Sequence, residues 1–133
     1  MAESVSTLLR RSIAHLADEA PAGYRLVAEQ LGSLSVELDI DGEIFSLTGG
    51  GELRVVEGVT AADVQIHTSR ATILDVLDAR IGLGAAVEAD MLCVRGTLDD
   101  ALRTHDTLLA YVHAAARAPS QPALLHALRA DSP

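Results

Sequence analysis

Five histidines, one cysteine and a run of three glycines are the residues of this chain whose types could do chemistry. A metal site needs several ligands gathered round one point, most simply two histidines four apart on a helix. His15, His67, His105, His113 and His126 contain no such pair, and Cys93 has no second cysteine. Neither a metal nor any other cofactor is expected. Cys93 has Arg95 two residues on, a cation that could favour a thiolate, but no His or Asp adjoins it in sequence. It is read as an unreactive strand residue. Gly49-Gly50-Gly51 could cradle a phosphate only with a helix N-terminus and a basic side chain behind it. A strand and the anionic Glu52 follow instead, so the run is read as a flexible turn. His105 falls within an apolar helical stripe. A buried imidazole left without a partner costs about 1–3 kcal/mol. His105 is therefore either a hydrogen-bonded core residue or a polar contact inside a ligand cavity, and both readings stay open. Asp99, Asp100 and Asp106, and the pair Arg10-Arg11, read as solvated helix faces. No residue is read as catalytic.

The elements that must position these residues follow from periodicity. Val5, Leu8, Leu9, Ser12, Ile13 and Leu16 form one stripe of a helix over residues 4–16. Pro21 opens a second helix, Gly32 stops it, and Leu26, Val27, Gln30 and Leu31 are its expected buried face. Val36, Leu38 and Ile40 alternate with polar residues, and Asp41-Gly42 is a hairpin signal. Further strands are expected over residues 43–47, 52–57, 62–68 and 91–95, the last with Leu92 and Val94 inward. A short helix capped by Thr68 or Ser69 carries Ile73, Leu74, Val76 and Leu77, and residues 85–89 form about one helical turn. Thr97 caps the longest helix, whose apolar face is expected to hold Leu98, Leu102, His105, Leu109, Val112 and Ala116. Pro119 ends it. A last short helix places Leu124, Leu125 and Leu128 on one side. Glu37, Asp39, Arg54, Gln65, His67 and Arg95 suggest a polar sheet face opposite one covered by helices. The class is α+β with five strands, in a single domain over 1–133: helices in 1–32, sheet and covering helices in 33–133.

Composition bounds the function. Apolar residues make up 49% of 133, enough for a folded core. Aromatics are only 2%, with no Trp, so the core is built from Leu, Val, Ile and Ala. A net charge of −9 with no lysine argues against nucleic acid and against adhesion to anionic membranes. No integral membrane segment and no signal peptide is visible. The lone cysteine fits a reducing, cytoplasmic setting.

Within residues 62–119, a small pair (Ala85-Ala86), a short helical turn, an alternating strand (Leu92, Val94) and a closing Gly96 follow one another. That order resembles the sterol carrier protein 2 (SCP2) family, with the likeness extending over residues 33–119. Ala86 stands at the family's small position, Val87 at its first bulky one, Leu92 and Val94 at inward strand positions. Glu88, Asp90 and Leu83 stand where the family commonly has a bulky apolar residue, a Gly and a Pro.

The resemblance implies an SCP2-like, five-stranded mixed sheet with helices over one face and an apolar cavity between them. It implies non-enzymatic binding, and transfer, of a lipid such as a fatty acyl chain or sterol, or of another apolar small molecule. The expected ligand-binding residues are Leu74, Leu77, Val87, Leu92, Val94, Leu102, His105 and Leu109. Two alternatives remain: an enzyme or accessory protein of small-molecule metabolism using the cavity as a template, and an interaction domain with a filled core. Polar groups converging around His105 would favour the first, a filled core the second.

Overall fold

A computed structural model describes residues 4–57 and 62–130. Two helices, α1 (Val5–Glu19) and α2 (Pro21–Leu31), lead into strands β1 (Ser35–Ile40), β2 (Glu43–Thr48), β3 (Arg54–Glu57) and β4 (Val64–Thr68). Helices α3 (Arg70–Leu77) and α4 (Leu83–Glu88) precede β5 (Cys93–Arg95), and α5 (Leu98–Ala115) and α6 (Gln121–Ala130) follow. The sheet runs β3-β2-β1-β4-β5. β1 and β4 are parallel, while the other pairs are antiparallel. The architecture is therefore the expected α+β one, a five-stranded mixed sheet with helices.

Local signals explain most boundaries. Ser4 caps α1 by accepting from the Thr7 amide, and the Glu43 carboxylate accepts from the Val5 and Ser6 amides at 2.9 Å each. An anion there also matches the positive end of the helix dipole. Asp41 and Gly42 turn β1 into β2 with φ of 54° and 90°, the left-handed pair that a two-residue hairpin requires. Ser69 caps α3 and Thr97 caps α5, each accepting from the amide three residues on. Val36, Ile40, Phe45, Leu47, Val64 and Ile66 are buried on one sheet face, while Gln65, His67 and Arg95 stand in water on the other. Cys93 is exposed and Val94 half-buried, as the alternation predicts.

Several expectations need correction. Strand β3 begins at Arg54, because the Leu53 amide donates to the Tyr24 hydroxyl at 3.2 Å. Strand β5 is three residues long and α4 starts two residues early, at Leu83. Leu26 is exposed; only Val27 and Leu31 of α2 are buried. On α6, Leu128 is buried and Leu124 half-buried, and the side chain of Leu125 lies outside the described residues.

The largest correction concerns α5. Its leucine face is the wet one: Leu98, Leu102 and Leu109 are 74%, 55% and 39% exposed. The buried side carries Thr104, Thr107 and Ala114, with Leu108 and Tyr111 half-buried beside them. At 100° per residue the two faces lie roughly 170° apart, on opposite sides of the helix. Two features admit the less apolar face. Thr104 and Thr107 donate their hydroxyls to the carbonyls of Asp100 and Arg103, both at 2.8 Å, so burial leaves no polar group unpaired. And α2 packs closely there: a Cβ on Gly23 would lie 2.8 Å from the Ala114 Cβ.

Candidate functional site

Between the inner sheet face and the helices lies a cavity of about 440 Å³, within the range of small-molecule sites. The strands supply Leu38, Ile40, Phe45, Leu47 and Ile66 as its floor. One wall is the α1 stripe Val5, Leu8, Leu9, Ser12 and Ile13. Helix α3 contributes Ile73, Val76 and Leu77, and α5 contributes Thr107, Leu108, Tyr111 and Val112. Helix α6 closes it with Gln121, Leu124 and Leu128. The walls are mostly aliphatic, with a few hydroxyl, amide and aromatic side chains among them.

Helix α6 is fastened near both ends. Before it, the Ser120 amide donates to Glu19 at 2.9 Å and its hydroxyl to the other carboxylate oxygen. Those two bonds, the hydroxyl's first, hold the Glu19 carboxyl below its ordinary range. At the far end Arg129 pairs with Asp78 at 2.6 Å.

Polar atoms meet at one place on the wall. The Ser12 hydroxyl donates to the Gln121 side-chain carbonyl at 2.8 Å, and the Gln121 amide donates to the Ser12 backbone carbonyl at 3.1 Å. The Tyr111 hydroxyl also bonds to Ser12 Oγ. Ser12 and Gln121 are buried, and burial pushes the Tyr111 phenol up to about 12. This hydrogen-bonded group joins α1, α5 and α6.

Of the residues expected to bind ligand, Leu77 and Leu92 line the cavity. Leu74 is buried in the adjoining cluster of Val5, Leu8, Ile40, Phe45 and Leu128, off the wall. Val94 packs half-buried on the main core, also off the wall. Val87 is 38% exposed, and Leu102 and Leu109 stand in water on α5. His105 lies on that same outer side, its Nδ1 3.4 Å from Asp106, so neither core nor cavity holds it. The polar groups that do converge are Ser12, Tyr111 and Gln121. A serine inside the α1 stripe was the available signal for them.

The other chemical residues lie elsewhere. Asp39, His67 and Cys93 stand side by side across β1, β4 and β5 on the outer face, with His67 Nδ1 3.3 Å from Asp39. The Gly49–Gly51 run packs on the end of α2, where the Gly50 amide donates to the Gly32 carbonyl at 2.8 Å. Among the described residues no three His, Cys, Asp or Glu side chains gather as metal ligands, and no helix is long and apolar enough to cross a membrane.

No protein-family model and no curated protein matches the chain. Solved structures do. The sterol carrier protein domain 2 of Helicoverpa armigera aligns with a TM-score of 0.60 at 11% identity, covering 84% of this chain and 94% of that one. Palmitated SCP2L2 from Aedes aegypti aligns with a TM-score of 0.56 at 21% identity, over 81% and 95%. The UbiJ-SCP2 ubiquinone synthesis protein gives 0.59 at 18% identity, over 81% and 89%. At such identities the likeness is one of architecture, and it agrees with the sheet order and the helical cover described above: the chain has the SCP2-like fold.

Proposed function

We propose that this chain binds a lipid or other apolar small molecule inside the cavity and passes it on unchanged. The observation that carries the reading is the apolar cavity of about 440 Å³ between sheet and helices. Such a volume speaks against a filled core. The fold supports the same reading, since one structural neighbour was solved in a palmitated form. A ligand burying roughly 400 Å² of apolar surface gains about 10 kcal/mol. Association costs at least about 4 kcal/mol, which leaves at most about 6 kcal/mol, or binding in the tens of micromolar. The contacting residues would be those on the wall, Leu77 and Leu92 from the sequence reading among them, with the α1 stripe opposite. The helices within 1–32 then belong to the same working domain as the rest of 1–133. The cytoplasm is the proposed setting, a reading supported by the single free thiol, Cys93.

Native mass spectrometry after incubation with phosphatidylcholine vesicles containing a pyrene-labelled acyl lipid tests this. A one-to-one adduct that a second, unlabelled vesicle population can unload is the expected result. A protein that stays at its apo mass under saturating lipid contradicts the proposal.

A further inference from the structure

We infer that Ser12, Tyr111 and Gln121 form a head-group subsite in the cavity, one that takes a neutral hydroxyl in preference to an ionised carboxylate. The inference rests on the binding reading above and narrows its ligand class.

Hydrogen accounting leads to it. The Gln121 side chain bonds to Ser12 twice, once to the hydroxyl and once to the backbone carbonyl. The backbone carbonyl can only accept, so the Gln121 nitrogen must face it and the Gln121 oxygen must face the hydroxyl. The serine has one hydrogen, and the amide oxygen takes it. The Tyr111 hydroxyl must therefore donate to Ser12 Oγ. Two capacities are left over: a lone pair on the Tyr111 oxygen and the second N–H of Gln121. All three residues line the cavity. One acceptor beside one donor, with no formal charge, complements an alcohol, which donates once and accepts once.

An ionised carboxylate fits poorly. It can only accept, so it would face the tyrosine lone pair. Among the described residues no Arg lines the cavity, and the one basic side chain on the wall is the exposed His113. A carboxylate drawn to the subsite would lose its hydration without a counter-charge. The burial that keeps the Tyr111 phenol neutral to about 12 disfavours a carboxylate anion for the same reason. Sites built to hydrogen-bond a ligand group discriminate strongly against analogues that mismatch it.

The experiment is a competition against a neutral fluorescent probe, N-phenyl-1-naphthylamine, at pH 7.5. The competitors are 1-dodecanol, 1-methoxydodecane and dodecanoate. The alcohol is expected to displace the probe at a concentration at least tenfold lower than dodecanoate and several-fold lower than the ether, which accepts but cannot donate. Tyr111→Phe should bring alcohol and ether together, and Gln121→Met should weaken both. Leu102→Gln, on the outer side of α5, should leave the ranking unchanged; a ranking that collapses in His113→Gln would move the head group to His113 and overturn the inference. Equal displacement by alcohol and carboxylate in the wild-type protein also overturns it, while cavity binding stands. If the wild-type protein takes up no probe, the binding reading falls and this inference with it. The wild-type ranking needs no variant, so a poorly folding Tyr111→Phe does not shield the claim.

Discussion

On α1 the apolar stripe faces the core, with Val5, Leu8, Ile13 and Leu16 all below a tenth exposed. On α5 the stripe with more leucine faces water, and a side carrying threonine and alanine is buried. Both helices are amphipathic by spacing, and both carry hydroxyl residues at buried positions. They differ in what lies opposite. Helix α1 meets a sheet floor of large side chains and leaves a cavity between. Helix α5 meets the backbone of α2 at Gly23, where only small side chains fit. Hydrophobic periodicity locates a stripe, but the shape of the neighbour decides which side is buried.

Breaking the contrast at its strongest point gives the largest effect. Leu16 is fully buried, so Leu16→Ala should destabilise by about 2–5 kcal/mol in urea unfolding. A loss under about 1 kcal/mol would place the α1 contact outside the core. The close α2–α5 approach comes next. Gly23→Leu forces atoms into the space of Ala114 and should cost about 1–3 kcal/mol. A neutral result would mean that α5 is not held by small-residue contact.

The join between the two helices has a pH signature. Tyr111 keeps its proton in the folded chain to about 12 but ionises near its ordinary value of 10 once unfolded. Between those limits the folded state binds more protons, so stability falls as pH rises from 10 toward 12. The full loss is about 3 kcal/mol, and Tyr111→Phe should flatten that part of the curve in thermal melts. An unchanged slope would remove the buried phenol from the account. The smallest effect belongs to the wet leucines: Leu102→Gln should shift stability by less than about 0.5 kcal/mol. A loss above about 2 kcal/mol would mean that this face is covered.

Local chemistry made much of the fold legible. The Asp41-Gly42 turn, the inward Val64 and Ile66, the α1 stripe and the caps at Ser69 and Thr97 each depend on residues within a few positions. Asp90 stands where the SCP2 pattern has glycine and still adopts φ of 59°, because Asp tolerates the left-handed region better than most side chains. The site was less legible. Ser12 meets Tyr111 and Gln121 across 99 and 109 residues of chain, and no local pattern encodes such a meeting. His105 drew attention by lying among leucines, but that face is the outer one. Leu77 reaches the cavity from the end of α3 and Leu92 from the position just before β5, where the inward alternation was readable.

On α5, Leu108 lines the cavity and Leu102 stands in water, so an apolar molecule taken up there should meet the first and not the second. An equilibrium titration of N-phenyl-1-naphthylamine against wild type, Leu108→Trp and Leu102→Trp tests it most directly, with circular dichroism to check that each is folded. Saturable binding in the wild type, at least tenfold weaker binding in Leu108→Trp and no change in Leu102→Trp is the result predicted here. Full-strength binding in a folded Leu108→Trp, or its loss in Leu102→Trp alone, would contradict the account.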